Sequence, residues 1–198
     1  NEVTFNTTKG FPGEILVDID GNRYRTIRLG NQVWMADNLR TKRYRNGDSI
    51  PTFSGSAIEQ TFALQSGYLF NSFKVDTFGL LYTWYVALDP RNVAPEGWHV
   101  ATVDDWKALE SYIDPFNSYD EKKAAKDLCS KKFWSYCSKN GTVGFNPDQN
   151  NSSGFSALPS GLSDLNWRFF YLYYSCYFWT SSIDTKTDLG RCVEIDYN

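Results

Sequence analysis

A chain of 198 residues is long enough for one well-filled domain, and two domains of this combined length would be unusually small. The net charge of −3 argues against a nucleic-acid partner, because phosphates select basic surfaces, and no apolar run reaches the roughly 18 residues of a membrane span. Aromatic residues make up 17% of the chain, which favours a β-rich core or a binding surface over a helical bundle.

The first half of the chain divides into a lead-in, a meander and a long loop. Residues 1–13 are polar and carry a Gly-Phe-Pro-Gly turn, which predicts a loose lead-in before a single domain at 14–198. Alternating apolar residues separated by two Gly-Asn turns then predict a three-stranded β-meander between residues 15 and 36. Residues 40–78 have weak periodicity and are rich in Ser, Gly and Asn, so they predict a long irregular region, of a kind that is usually either functional or locally disordered.

Two short helices are expected around the middle of the chain. Residues 79–88 form an apolar run, and the spacing of Leu81, Trp84 and Leu88 favours a helix over a strand. Residues 121–129 predict a second short helical stretch.

The stretch 95–113 carries several signals that agree. A Pro-Glu-Gly turn precedes a short extended run at Trp98, and Thr102 stands three residues before Asp105, the spacing of a capping box. Trp106 then begins an apolar helix face, and the residue before Pro115 ends it. We predict a rigid strand-to-helix corner in which both tryptophans are buried.

The C-terminal third of the chain is predicted to form β-strands. Residues 169–183 are almost continuously aromatic and β-branched, and residues 190–197 predict a last strand.

The four cysteines are Cys129, Cys137, Cys176 and Cys192, without the close pairs that a zinc site needs. They fit either disulfides, with 129–137 and 176–192 as the natural pairs, or free buried thiols. We expect no metal and no cofactor.

Five stretches in this order resemble the Fibrobacter succinogenes major paralogous domain family: DIDGNRYRTIRLGNQVWMADNL (18–39), GLLYTW (79–84), PEGWHVATVDDW (95–106), GFSALPSG (154–161) and FWTSS (178–182). That family is similar to the formylglycine-generating enzymes and to C-type-lectin-like folds. The resemblance implies an α+β, C-type-lectin-like domain with short helices packed on small twisted antiparallel sheets and long loops. The family's closing strand corresponds either to residues 191–193 or to a segment beyond this chain.

The resemblance also implies an exported protein at the cell surface or in the periplasm, with lipid anchoring through a removed N-terminal segment as one route. We expect a monomeric, non-catalytic binding module for a glycan or a surface protein in adhesion. Two alternatives are a structural domain of a surface appendage and, less favoured, an oxidase like the formylglycine-generating enzymes. The resemblance implies that such an oxidase would bind copper through a pair of closely spaced cysteines. Cys176 and Cys192 lie far apart in this sequence.

Three polar sites have plain structural interpretations that we favour over functional ones. Histidine is a common acid–base group, but no nucleophile or orienting acid stands beside His99 in sequence, so we predict a hydrogen-bonding role for it at the corner. Asp104 and Asp105 suit the first turn of a helix. Asp184 and Asp188 have loop spacing that fits ordinary solvation better than calcium binding.

The best functional candidate is the aromatic tract at residues 167–177. A strand made of aromatic residues is hard to bury on both faces of a small domain, so some of its rings are expected at the surface. The candidate ligand-binding residues are Trp167, Tyr171, Tyr173 and Tyr174, whose flat rings suit stacking on sugars or on a protein. The competing interpretation is that these rings fill a two-sided core.

Overall fold

The structure is a computed structural model, and it describes residues 2–3, 5–7, 13–53, 65–67, 72–115, 121–164 and 168–198. Within these residues the strands are β1 (Glu2–Val3), β2 (Phe5–Thr7), β3 (Ile15–Val17), β4 (Arg23–Leu29), β5 (Gln32–Met35), β6 (Gln65–Gly67), β7 (Leu80–Tyr82), β8 (His99–Val100), β9 (Ser160–Ser163), β10 (Phe169–Leu172), β11 (Ser175–Asp184) and β12 (Leu189–Asp196). The helices are α1 (Ser72–Phe78), α2 (Trp84–Leu88), α3 (Val103–Ile113) and α4 (Glu121–Leu128).

The strands form small sheets rather than one large one. The first has the order β3-β4-β5-β2-β8, and the second has β1-β11-β9-β10 with β12 on β11. A third sheet pairs β6 with β7. Short helices with small antiparallel and mixed sheets confirm the α+β class, and in the described residues no helix is long and apolar enough to cross a membrane.

The predicted meander is confirmed as β3, β4 and β5. The turn before β4 is closed by Asp18, whose carboxylate accepts hydrogen bonds from the backbone N–H of Asn22 and the hydroxyl of Tyr24. Since Asp18 and Tyr24 are both buried, this polar pair fixes the start of β4 inside the core.

The description of residues 1–13 as a loose lead-in is wrong for part of that segment. β1 pairs in parallel with β11, and β2 lies between β5 and β8. These short strands carry little apolar pattern of their own, and their hydrogen bonds come from the backbone of strands distant in sequence, which a local pattern does not reveal.

The strand-to-helix corner is confirmed. Thr102 Oγ1 accepts from the backbone N–H of Asp105, and Asp105 Oδ2 accepts from the backbone N–H of Thr102, which completes the capping box of α3. Trp106 is buried at 2% exposure. Trp98 is not fully buried as predicted: it lies partly exposed at the rim of the core, where Arg45 donates to its carbonyl oxygen.

The single helix predicted at residues 79–88 is wrong, because the segment forms β7 followed by α2. Gly79 has φ of 76°, and a Cβ there would lie 2.6 Å from the carbonyl oxygen of Leu39. The backbone N–H of Leu80 donates to that same carbonyl, and Leu80–Tyr82 pairs with β6, so the chain after Gly79 is held extended. The long region at 40–78 is likewise not wholly irregular, since it contains β6 and α1.

The core has two parts. One cluster packs Tyr24, Tyr44, Tyr82 and Val86 between the first sheet and α2. The other packs Trp34, Trp106, Phe155 and Phe178 between the two large sheets and α3. Part of the aromatic enrichment is therefore used inside the molecule, as a β-rich core requires.

Candidate functional site

The predicted aromatic strand is broken by a turn. β10 ends at Leu172, the backbone N–H of Tyr174 donates to the carbonyl oxygen of Tyr171 at 2.9 Å, and β11 begins at Ser175. The turn directs the side chains of the tract to different sides. Part of the tract therefore lies in the core and part lies at the surface. Phe178, further along β11, is buried.

Of the predicted site residues, Tyr171 and Tyr174 lie at the surface, with 54% and 44% exposure. Tyr174 stands edge-on to Tyr197, with ring centroids 5.1 Å apart. The ring centroid of Tyr171 lies 6.1 Å from the ring centroid of Phe170. Trp167 lies outside the described residues.

Tyr173 is half-buried and partly structural. Its ring is 5.8 Å from that of Phe78, and Lys74 Nζ lies 2.6 Å from its hydroxyl oxygen. The Tyr173 side chain therefore joins α1 to the turn, while part of its ring remains accessible.

A neighbouring loop brings two further aromatic rings beside the turn. The backbone N–H of Ser135 donates to the carbonyl oxygen of Tyr173 at 2.7 Å. Phe133 and Tyr136 on this loop are 46% and 75% exposed, and Phe133 packs against Phe78 at 5.2 Å. We name the set of Phe133, Tyr136, Tyr171, Tyr173 and Tyr174 the aromatic patch.

The sequence prediction missed Phe133 and Tyr136. Their local signal is weak, since they stand in a polar, turn-rich stretch. What could have drawn attention to them is the sequence Phe-Trp-Ser-Tyr itself, because three aromatic residues in four are unusual in such a loop.

The backbone at the aromatic patch is strained. Phe133, Tyr171 and Tyr173 have φ of 72°, 59° and 72°, in the left-handed region that bulky residues rarely adopt. Gly161 on β9 permits the close approach of β10, because a Cβ there would meet the backbone of Phe170 and Leu172. Residues held in such conformations cluster at functional sites.

Cations lie on both segments of the aromatic patch, and Lys131 and Lys132, the two residues before Phe133, are exposed. Arg168 forms an ion pair with Asp164 and lies over the Phe170 ring at 5.6 Å. Lys74 lies over the Tyr173 ring at 4.9 Å. The patch residues themselves offer ring faces and phenol hydroxyls, which suit an uncharged ligand with hydroxyl groups.

His99 has the structural environment that we favoured. Its Nε2 lies 3.0 Å from Asp105 Oδ2, the same oxygen that accepts from the backbone N–H and hydroxyl of Thr102. Burial alone would raise the pKa of Asp105, but the hydrogen bonds from Thr102 and His99 hold it below its ordinary value. Asp104 pairs with Lys107 at the surface of α3.

The loop between β11 and β12 has no assembled cation site in the described residues. Asp184 accepts from the backbone N–H groups of Lys186 and Thr187 and pairs with Arg191 at 2.9 Å. These backbone hydrogen bonds, together with Arg191, lower the pKa of the Asp184 carboxyl group. Across the described residues no group of three or more His, Cys, Asp or Glu side chains is arranged to hold a metal ion.

All four cysteines are free thiols in the structure, so neither natural disulfide pair is formed. On the β11–β12 ladder Cys176 stands opposite Ile195, and Cys192 stands opposite Trp179. The two cysteines are thus three rungs apart, roughly 10 Å along the strand, and Cys176 is buried.

These features define an α+β domain with a capped strand-to-helix corner and an aromatic patch beside the β10–β11 turn. The family model described as the Fibrobacter succinogenes major domain matches residues 27–195. The chain belongs to this family, as its five motifs predicted. Searches of curated proteins and of solved structures find no match.

Proposed function

We propose that this domain is a non-catalytic, exported binding module with a C-type-lectin-like fold, and that it holds a neutral glycan on the aromatic patch. The observation that carries the proposal is the gathering of exposed rings from two separate segments around the β10–β11 turn. Family membership supports placing it at the cell surface or in the periplasm.

Exposed aromatic rings favour this role over a purely structural one. A ring that serves the core has to be removed from water, whereas Tyr136 and Tyr171 are at least half exposed. Exposed apolar rings gathered in one region of a surface are typical of interaction sites. Tyrosine is suited to the task, since it offers a large rigid face with few rotatable bonds and a hydroxyl for hydrogen bonding.

The charge balance favours a neutral ligand. With a net charge of −3, the chain repels polyanions at long range, and two cations near the aromatic patch, Arg168 and Lys74, are engaged with protein groups. A neutral polysaccharide presents apolar C–H faces and hydroxyl groups. These groups can contact ring faces and phenol hydroxyls without a net charge on either partner.

The structure offers less support for an oxidase. Copper chemistry of that type needs two thiols side by side, and Cys176 and Cys192 are separated on the ladder.

The test is binding to an array of neutral oligosaccharides, including β-linked glucan, xylan and mannan fragments. The variant is the double substitution Tyr171→Ala and Tyr174→Ala, which should lower retention at least tenfold without moving the melting temperature. The matched control is Tyr85→Ala with Tyr112→Ala, because those tyrosines are 42% and 52% exposed and lie outside the aromatic patch.

Separate Trp167→Ala and Tyr173→Ala variants test the rest of the predicted site. If no neutral glycan is retained, or if the control pair loses retention equally, the assignment of the aromatic patch is wrong. A patch variant that unfolds would indicate a core role for these rings instead.

A further inference from the structure

The first sheet contains an interior strand whose partners are both distant in sequence. β2 lies between β5 and β8, with Asn6 opposite Trp34 on one side and opposite His99 on the other. β8 is the outermost strand of this sheet, and among the described residues β2 is the strand that pairs with it. The sheet is therefore completed by a segment that precedes the residues matched by the family model, 27–195.

The two strands that flank β2 are held in place by contacts that do not involve β2. β5 pairs with β4 along its whole length. β8 is tied to β11, because the Ser181 hydroxyl donates to the carbonyl oxygen of Val100 and the Ser181 N–H donates to that of Ala101. We name the position between β5 and β8 the acceptor cleft. Its walls are placed by strands that follow β2 in the chain, whichever segment fills it.

The acceptor cleft needs a strand. Val33 and Trp34 of β5 and Val100 of β8 are buried, so the edges that face β2 lie next to the core. An empty cleft would leave backbone N–H and C=O groups of these edges without partners, and buried backbone groups of that kind are costly. A second copy of the chain carries the same segment as β2, so it can supply the same backbone hydrogen bonds in the same register.

The segment that fills the acceptor cleft is held over a short length. β2 has two paired residues on β5 and two on β8. The preceding strand, β1, has two paired residues on β11. Segments with few backbone hydrogen bonds open locally at a low free energy, well below that of global unfolding. Release of this segment therefore does not require the rest of the domain to unfold.

The connection between β2 and β3 is long enough for exchange. β3 lies three positions from β2 across the sheet, which is about 14 Å at the usual spacing between strands. The connection is residues 8–14, and seven residues can span about 23 Å when they are extended. The difference allows the segment to leave its own cleft and reach the cleft of an adjacent copy.

We propose that the acceptor cleft takes the segment at residues 2–7 from a second copy of this chain, and that reciprocal exchange of this segment joins two copies into a dimer. Each cleft then holds the same backbone pairs as in the single chain, with Asn6 of one copy between Trp34 and His99 of the other. Exchange of an identical element is a low-cost route to dimers, because the contacts are already complementary. The dimer fraction should therefore rise with protein concentration. This inference does not use the aromatic patch and does not depend on glycan binding.

Crosslinking between two full-length variants detects the exchange. One copy carries Asn6→Cys and the other carries His99→Cys, and in both copies Cys137→Ser and Cys192→Ser remove the native thiols that are not buried. Residues opposite each other on antiparallel strands have Cα atoms about 4.5–5.5 Å apart, a distance that a disulfide bridges. After incubation at high concentration, oxidation should link the two copies at least ten times more often than when the second copy carries Tyr112→Cys instead, at an exposed position of α3.

A pinned variant supplies the matched control. Asn6→Cys and His99→Cys in one chain, oxidised at high dilution, hold β2 in its own cleft. This variant should stay monomeric in sedimentation velocity at concentrations where the wild-type chain forms dimers. Reductant should restore its dimer formation, which separates a blocked exchange from a folding defect.

A synthetic peptide of residues 1–13 tests the acceptor cleft in the wild-type chain, so the test survives if the cysteine variants fail to fold. The peptide is used at a concentration on the order of millimolar, because the chain's own β2 competes at an effective concentration of that order. The labelled peptide should be taken up, and Asn6→Pro in the peptide should reduce uptake at least tenfold. β2 has a strand on each side, so proline removes an N–H that faces one of them. A scrambled peptide of the same composition should not bind.

Three results would overturn the proposal. The first is the absence of concentration-dependent dimers together with no uptake of the peptide, which would show that the segment does not exchange. The second is a dimer that forms without the disulfide between copies, or that the oxidised pinned variant forms equally well, because its interface would then lie elsewhere. The third is equal uptake of the native, proline-containing and scrambled peptides, which would exclude strand pairing. Glycan retention is measured separately, so the failure of either proposal is distinguishable from the failure of the other.

Discussion

Replacing Trp106 by alanine should remove much of the stability of this domain. The indole is 2% exposed, and its ring centroid lies 5.1 Å from Trp34, 5.7 Å from Phe155 and 5.3 Å from Phe178. These neighbours belong to β5, a loop and β11, so each is fixed by hydrogen bonds elsewhere. The walls of the resulting cavity therefore have little freedom to collapse.

Trp106→Ala should lower the free energy of unfolding by about 4–5 kcal/mol, the upper half of the range for replacing a large buried aromatic residue by alanine. The total free energy of unfolding of a domain of this size is about 5–15 kcal/mol, so the variant should be marginally folded at best. At roughly 2–4 °C per kcal/mol, the melting temperature should fall by about 8–20 °C. The assay is urea unfolding followed by far-UV circular dichroism, with the unfolding slope fitted separately.

Two further variants sharpen this test. Trp106→Phe keeps an aromatic ring and breaks no hydrogen bond, because Nε1 has no acceptor in the described residues, so it should cost about 1 kcal/mol. Tyr112→Ala on the same helix, at 52% exposure, should cost less than that. If Trp106→Ala melts within about 2 °C of wild type, the central packing role assigned to Trp106 is wrong.

Two more predictions concern pH and backbone geometry. Because the folded-state pKa of Asp105 lies below its unfolded value, ionised Asp105 stabilises the fold above about pH 4, and this contribution disappears as pH falls through the folded-state pKa. Asp105→Asn should therefore flatten the acid limb of the unfolding free energy measured in urea, and an unchanged slope would contradict the hydrogen-bonded cap. Gly79→Ala should cost more than Gly97→Ala, since both glycines have positive φ but a Cβ at Gly79 alone of the two meets backbone, at Leu39. Equal urea midpoints for these two variants would show that the close approach at Gly79 is unimportant.

The corner could be predicted from the sequence because its signals are local. The cap needs two residues three positions apart, and Asp114 ends α3 for a reason visible in the next residue, Pro115. Capping, helix spacing and the effect of proline all act within one or two turns of chain. No knowledge of the rest of the fold is required for them.

The segment at 79–88 could not be predicted in the same way. Leu80–Tyr82 becomes a strand because Gln65–Gly67 lies beside it and because the Leu39 carbonyl accepts from Leu80. Both partners are distant in sequence, and a short apolar run has the same composition in either state. Tertiary contacts decide between them.

The candidate site was predicted in part for the same reason. The tract at 167–177 stood out by composition, but which of its rings face water depends on the turn at Tyr173 and Tyr174. Phe133 and Tyr136 join the aromatic patch through the hydrogen bond from Ser135 to Tyr173, which sequence alone does not reveal. Composition thus located one segment of the patch, and topology supplied the other.

The strained backbone at the aromatic patch separates structural rings from candidate ligand-binding rings. A non-glycine residue held in the left-handed region costs of the order of 1 kcal/mol or more and persists where surrounding contacts outweigh that cost. Tyr173 has such contacts, since its side chain meets Phe78 and Lys74 and its carbonyl accepts from Ser135. Tyr171 has a mostly exposed ring, so burial of that ring does little to offset its strain. A glycine would relieve the strain at Tyr171, so the presence of a tyrosine there favours a use for its ring outside the fold.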